Sequence, residues 1–511
     1  MPLSNRPLRP WLQAAAAVLA LLMIVFAIRQ LRATTDGLTV TRGTVGSIPI
    51  TVYAPADGKP APAVVIAHGF AGSQQLMQPF ATTLARAGYL AISFDFPGHG
   101  SHPQPLVSGL SDQDAMSSAL VDALKAVVAD ARRRGDGRVA LLGHSMASDV
   151  VVKLGIDDPQ IAATIAVSLF FPRVTATAPR NLLIIDGALE AGELIRQGLE
   201  SIRDAAGGKP ESGPMYGSFD DGSARRLVLA RGAEHIGVLY ARDSLDAAVD
   251  WLAQSYAQPA AGNWRDTRGA ALGLLIAGLM LLAWPLATRL PVLCAPSAGL
   301  GLARRELLIV SGVPAVATPL LLWPLPHDWL PLLLGGYLAM HFALYGGLMA
   351  LMLKVRGHRL PTLAAFDRRV LLLIAAVTVA CMASFGYALD GWVASVKPNA
   401  MRLPLVAAMA LGLLPFFVID EWITRGAQPA RGAYALGKAL LLASLVLAVA
   451  LNLYELFFLI IIVPVVLLLF IVFGSFSGWI GRRTGQPLIA AVANALLFGW
   501  LIAVSFPVVG R

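Results

Sequence analysis

The sequence predicts two domains in two solvents: an α/β domain with a mostly parallel sheet and helices on both faces, and an all-α polytopic membrane domain. Three observations predict this. The 511 residues are 56% hydrophobic and only 14% charged, against about 25% charged in an ordinary soluble domain, and the mean hydropathy is +0.66. The apolar residues are unevenly spread: residues 38–257 mix polar and apolar positions, whereas 268–508 form a succession of long apolar runs. Within 38–257, short β-rich runs alternate with helical ones, the pattern of a parallel sheet covered on both faces.

The first apolar run, Trp11 to Ile28, follows Arg6 and Arg9 and reaches about 27 Å at 1.5 Å per residue, enough to cross a bilayer. Arg29 and Arg32 come next, with no small-x-small cleavage site, so the run reads as a retained anchor and not a signal peptide. The expected domains are 1–32, a cytoplasmic tail with its anchor helix; 33–262, an extracytoplasmic α/β domain; and 263–511, about eight transmembrane helices.

"LTVTRGTV" and "IPITVYAP" read as an opening hairpin. "AVVIAHG", "LAISFDFPG", "RVALLGHS", "IAATIAVSLF", "NLLIIDG" and "RLVLARGAEH" read as buried strands. Helical runs at Gln113 to Arg133 and Leu245 to Tyr256 accompany them. The segment from Phe170 to Ala178 is too short for a large helical lid.

Beyond Trp264, further spans are expected near 268–288, 306–324, 329–353, 370–388, 403–421, 438–453, 456–474 and 487–507. Every second connection is basic: Arg289, Arg304 and Arg305; Lys354, Arg356, Arg359, Arg368 and Arg369; Arg425, Arg431 and Lys438; Arg482 and Arg483. The positive-inside rule makes these cytoplasmic and puts the globular domain outside, which in a bacterial inner membrane is the periplasmic side. The same placement accounts for the net charge of +9 and the pI near 9.8. No basic stripe with interleaved aromatics appears in the globular part, so nucleic acid is excluded as a partner. Cys294 and Cys381 build neither a disulfide framework nor a zinc site.

The stretch "LLGHSMASDV", Leu141 to Val150, carries the chemistry. Gly143, His144, Ser145, Met146 and Ala147 fit G-x-S-x-G except that Ala147 stands at the second glycine. Ser145 ends an apolar strand and starts a helical run, the context of a strained elbow that lifts a serine hydroxyl out of the sheet. The helix N-terminus there favours developing negative charge. The bland alternative is a serine N-cap.

The ordered set "HGFAGS", "DFPGHGSH", "GHSMAS", "DGALE" and "GAEH" resembles the α/β-hydrolase family, serine esterases and lipases among them, over about residues 38–257. It covers nothing of the multi-span region. A serine hydroxyl needs a base that a carboxylate orients. The resemblance implies His235 as that base and Glu190, three residues after Gly187, as the acid, with Asp186 the alternative. It implies an oxyanion hole from the Phe70 and Met146 backbone N–H groups, worth about 3 kcal/mol per donor. His68, His99 and His144 are left as structural or pocket histidines.

Together these imply a membrane-anchored serine hydrolase that cleaves a carboxylic ester or thioester through an acyl-enzyme. The expected partners are a small acyl ester and the lipid bilayer. No metal- or nucleotide-binding motif is present, so the reading calls for no cofactor and no metal. Two alternatives stay open: a serine peptidase on the same triad, and a membrane transporter or scaffold whose outer domain binds a ligand. In the membrane region, Asp420, Glu421, Glu455 and His341 stand at or near membrane depth. Glu421 reads as paired with Arg425 and Glu455 as lying at an outer turn, while His341 has no nameable partner.

Overall fold

In the computed structural model, which describes residues 10–108, 112–169 and 174–510, an antiparallel hairpin opens the sheet. β1 (Leu38–Val45) pairs with β2 (Ile48–Pro55) around Gly46, whose φ is +57°. There follow β3 (Ala63–Ala67), β4 (Leu90–Phe94), β5 (Val139–His144), β6 (Ile161–Val167), β7 (Leu182–Gly187), β8 (Met215–Tyr216) and β9 (Arg225–Ala230). The nine-stranded order is β1-β2-β4-β3-β5-β6-β7-β9-β8. From β4 to β9 every neighbour is parallel; β1, β2 and β8 pair antiparallel.

Both faces of the inner strands β3 to β7 are buried, which is why these are continuous apolar runs and not alternating ones, whereas β1 is largely exposed. Along β5, Val139 and Leu141 enter one core and Ala140 and Leu142 the other, as the period of two demands. The first core is closed by α3 (Gln113–Arg134) and α4 (Met146–Asp157) through Leu120, Leu124, Val151 and Leu154. The second is closed by α2 (Gln78–Arg86) and α6 (Arg242–Ser255) through Phe80, Leu84, Leu245 and Trp251. Four strands stop earlier than their expected runs, at Ala67, Phe94, Val167 and Ala230, because the chain leaves the sheet there to build loops. The two-residue β8 carries no pattern long enough to read in advance, while α5 (Gly192–Ser201) is a ten-residue amphipathic helix.

Two compact units divide the chain. One holds Arg29–Leu272, Leu389–Asn399 and the described residues from Ser505 onward; the other holds the described residues up to Ile28, with Gly273–Ala388 and Ala400–Val504. The unit that holds the sheet thus takes in more of the chain than residues 33–262. Its C-terminal boundary runs further because Asp266 and Arg268 are buried in it. Asp266 accepts from Thr82 Oγ1 at 2.6 Å, and Arg268 Nη2 donates to Asp266 at 2.6 Å and to Thr34 Oγ1 at 3.3 Å. Of the two distant segments, the one after Ser505 joins it through backbone pairing and Leu389–Asn399 through side-chain hydrogen bonds to backbone groups, neither of which leaves a compositional trace.

Among the described residues, nine helices are long and apolar enough to cross a membrane. They are α1 (Pro10–Ala33), α7 (Arg268–Ala287), α8 (Arg304–Leu322), α9 (Gly335–Val355), α10 (Arg368–Asp390), α11 (Leu403–Thr424), α12 (Ala433–Leu451), α14 (Phe458–Thr484) and α15 (Leu488–Ser505), with a short α13 (Leu453–Leu456) before α14. The α9 helix starts at Gly335, later than its apolar run, because Leu334 turns at φ +63°. A Cβ on Gly336 would lie 2.1 Å from the His327 carbonyl oxygen. The α14 helix runs ten residues past 474, its Ser475 and Ser477 hydroxyls bonding back to the carbonyls four residues earlier.

In the helical unit the basic connections gather together. Glu306 pairs with Arg356 and His358, Trp422 Nε1 donates to the Arg359 carbonyl, and the Leu293 N–H donates to the Thr484 carbonyl. The α8–α9 and α12–α14 connections meet separately, through His327 Nε2 and Glu455 Oε2 at 2.8 Å. Lys438 is not a loop residue: it lies inside α12, is buried, and pairs with Asp420. Glu421 is fully buried, 3.9 Å from Arg425 and accepting from Asn494 Nδ2 at 3.3 Å. His341 has two partners, Tyr337 Oη at 3.2 Å and Ser444 Oγ at 3.1 Å.

Candidate active site

β5 delivers the chain to Ser145 at φ +54°, ψ −120°, and α4 starts at the next residue, Met146. A non-glycine residue at positive φ is strained, and such strain gathers at functional sites. The elbow is held by the Ser145 N–H, which donates to the Val167 carbonyl at 2.8 Å. Its tightness explains both glycines. A Cβ on Gly143 would lie 2.4 Å from the Ala147 carbonyl oxygen, and one on Gly69 would lie 2.9 Å from Ser145 Cβ. Gly143 makes the close approach, so Ala147 is tolerated and its methyl joins the core.

Two loops at the carboxyl ends of β7 and β9 are zipped together. The Ala188 and Leu189 N–H groups donate to the carbonyls of Ala230 and Ala233, each at 2.9 Å. A Cβ on Gly187 would lie 2.4 Å from the Ala233 carbonyl oxygen. This pairing brings His235 and Glu190 together. His235 Nε2 lies 2.9 Å from Ser145 Oγ, and His235 Nδ1 lies 3.4 Å from Glu190 Oε1. The second is an ion-pair distance, and among the described residues His235 Nδ1 itself makes no hydrogen bond.

Four supporting residues escaped the sequence analysis or were given a vaguer role. Ser168, buried at φ +53°, donates to Glu190 Oε1 at 2.5 Å. Glu234 accepts the Ile236 and Gly237 N–H groups at 2.9 and 2.6 Å, fixing the turn that carries His235. His144 Nε2 donates to the His235 carbonyl at 2.9 Å. Burial, reinforced by neighbouring His235, pushes His144 down to about 3, so the ring is neutral. Asp95 binds two loops at once, accepting from the Gln74 N–H at 2.8 Å and the Ser101 N–H at 2.9 Å. Its position at the end of β4, inside a quoted motif, was the signal available for it.

The alternative acid faces elsewhere. Asp186 is fully buried; its Oδ1 accepts from the Leu169 N–H at 3.3 Å, and its Oδ2 lies beneath Gly198. Burial, with the charge of Glu190 adding to it, pushes its carboxyl well above the usual range. Phe70 lies in the loop that presses on the elbow through Gly69, and Met146 opens α4. His68 takes Phe96 N–H on Nε2 at 3.2 Å and faces the Gly69 carbonyl through Nδ1 at 2.8 Å; burial pushes it down, so it too is neutral. Residues 170–173 of the segment expected to lack a lid lie outside the described residues. Among the described residues no group of three or more His, Cys, Asp or Glu side chains could hold a metal ion.

A mostly parallel sheet, helices on both faces and a serine elbow after its central strand give this domain an α/β-hydrolase-like fold. Residues 58–185 match the family described as serine aminopeptidase, S33. No curated protein matches the chain. Solved structures similar to it include TT1662 from Thermus thermophilus (20% identity over 42% of this chain and 98% of that one, TM-score 0.33). Others are an esterase from Pyrobaculum calidifontis (15%, 49% and 99%, 0.33) and epoxide hydrolase A from Mycobacterium thermoresistibile (14%, 42% and 98%, 0.31).

Proposed function

We propose that this protein is a membrane-anchored serine hydrolase that cleaves a carboxylic ester or thioester by way of an acyl-enzyme. The observation that carries the reading is the line from Ser145 Oγ to His235 Nε2, 2.9 Å, and from His235 Nδ1 to Glu190 Oε1, 3.4 Å, built on a serine at φ +54°. Ser145 Oγ attacks the acyl carbon while His235 Nε2 takes its proton. Glu190 stabilises the imidazolium, and His235 returns the proton to the leaving alcohol or thiol. Water then repeats the sequence on the acyl-enzyme, releasing the acid and restoring Ser145. The Phe70 and Met146 N–H groups hold the oxyanion of each tetrahedral intermediate.

Chain connectivity supports the topology part of this reading. The hydrolase unit takes in the end of α1, the start of α7, the α10–α11 connection and the segment after α15. These are all connections of one parity along nine crossings, and none is a basic one. Parity puts these connections on one side, and the charge of the other connections supports that side being the outer one.

A panel of short-chain acyl esters and thioesters, offered to the full-length protein and to Ser145→Ala, tests the proposal. Turnover by the wild type and loss of about 10⁴-fold or more in the variant is expected for a triad serine. The description of the matched family favours a second reading, a peptidase on the same three residues. Matched amide and ester substrates separate the two.

A further inference from the structure

The loop that carries Phe70 is gripped by two pieces of chain from far along the sequence. The first follows α15. Phe506 packs its ring on that of Phe70, with centroids 5.8 Å apart. The Val508 N–H donates to the Gly98 carbonyl at 2.9 Å, the Leu106 N–H donates to the Val508 carbonyl at 2.8 Å, and the Gly510 N–H donates to the Leu106 carbonyl at 2.7 Å. This is a strand-like pairing with residues 98–106, and Phe506, Val508 and Leu106 are all buried by it. Gly98 is obligatory there, since a Cβ would lie 2.4 Å from the Val508 carbonyl oxygen.

The second piece is the α10–α11 connection. The Ser395 N–H donates to Ser73 Oγ at 3.1 Å, Gln75 Nε2 donates to the Asp390 carbonyl at 3.3 Å, and Gln78 Nε2 donates to the Gly391 carbonyl at 3.1 Å. Asn399 Nδ2 donates to the His102 carbonyl at 3.3 Å. The loop 68–78 and the loop 95–106, already joined through Asp95, are thus each held from outside as well.

An oxyanion donor works only if it is fixed where the negative charge develops, within about 0.5 Å. The Phe70 N–H sits beside Ala71, which is held at φ +55°, a conformation that persists only when the surroundings over-determine it. We propose that the segment 506–510 and the connection 389–399 form a clamp that holds the Phe70 loop in its oxyanion-binding geometry, with Phe506 as a positioning residue acting through Phe70. The proposal rests on the serine hydrolase reading. It makes hydrolysis depend on residues that begin 244 and 361 positions beyond Ser145 in the chain, at Leu389 and Phe506.

The test compares full-length wild type, Phe506→Ala and Phe506→Leu. Hydrogen exchange across residues 68–76 is measured first, because it reports on the loop whether or not the enzyme turns over. Exchange should rise in Phe506→Ala and return toward wild type in Phe506→Leu. With an ester substrate, kcat of Phe506→Ala should fall about 10- to 100-fold at unchanged KM. The affinity of an alkyl boronate, which mimics the oxyanion, should fall by the same factor, and the pH profile should not move. If Phe506→Ala does not fold, Ser73→Ala and Asn399→Ala carry the test; each should raise exchange in the same loop and lower kcat about threefold or more. Unchanged loop exchange with unchanged kcat and boronate affinity overturns the clamp. Raised exchange in a protein whose wild type neither turns over esters nor reacts at Ser145 would uphold the clamp and overturn the hydrolase reading instead.

Discussion

Ser168 and His235 meet the same carboxylate oxygen of Glu190, Ser168 Oγ at 2.5 Å and His235 Nδ1 at 3.4 Å. The hydroxyl therefore fixes the direction in which the carboxylate offers its charge to the imidazole. A hydrogen bond to a charged group contributes about 1.5–3 kcal/mol.

Replacing Ser168 by Ala should lower kcat about 10- to 100-fold, the rate equivalent of that bond, with KM little changed. Ser168→Gly should lose as much activity while relieving the positive φ, so its melting temperature should exceed that of Ser168→Ala. Equal melting temperatures would show that the backbone conformation at Ser168 stores no strain. Full activity in both variants would remove the hydroxyl from the account of Glu190.

The two buried acids should separate cleanly. Glu190→Gln keeps the shape and removes the charge that stabilises the imidazolium, so kcat should fall by orders of magnitude. Asp186→Asn should keep most activity. Its effect on stability has a definite sign, because the folded-state pKa of Asp186 is raised. The stability that wild type gains from a neutral Asp186 is complete below the unfolded value, about 3.9, and is lost as pH rises through the folded value. The Asn variant lacks this titration, so its melting temperature relative to wild type should increase from pH 4 to pH 8. A large loss of kcat in Asp186→Asn with a mild loss in Glu190→Gln would reverse the roles.

His144 shifts in the opposite sense. Its folded value, about 3, lies below the ordinary 6.5, so the stability it contributes is present above pH 6.5 and is lost as pH falls toward 3. Melting of wild type should therefore worsen more steeply between pH 6.5 and 4 than that of His144→Gln, which does not titrate. His68 and His102, also pushed down by burial, act in the same direction and remain in both proteins. A parallel pair of melting curves would contradict a neutral, buried His144.

Topology can be read with fused reporters. One after residue 257 and one at the C-terminus should both report the outer side; insertions near Arg359 or Arg431 should report the inner side. A cytoplasmic signal from the reporter at 257 would overturn the reading from charge, and opposite signals from 257 and the C-terminus would overturn the reading from connectivity.

The sheet and the elbow were legible in the sequence because both faces of the strands are buried and because Gly143 and Gly69 mark where the backbone packs too closely for a Cβ. Ser145, His235 and Glu190 fell within quoted motifs, each at a strand end. The supporting residues were less legible: Ser168 acts through a side-chain hydrogen bond to a loop set by tertiary packing, and Glu234 through two hydrogen bonds inside its own turn, neither of which leaves a periodicity. Lys438 looks like loop charge in the sequence because nothing there links it to Asp420, 18 residues away, with which it pairs. The contribution of Phe506 to the Phe70 loop has no local signal, since the two residues meet only through the fold.

The central claim is that Ser145 is a nucleophile activated by His235. Its most direct measurement is the site of reaction with a fluorophosphonate probe, mapped by mass spectrometry on the full-length protein. A single adduct on the peptide containing Ser145, absent in Ser145→Ala and slowed by orders of magnitude in His235→Ala, is the predicted result. A wild-type protein that stays unmodified, or one labelled equally well after Ser145→Ala, would contradict it.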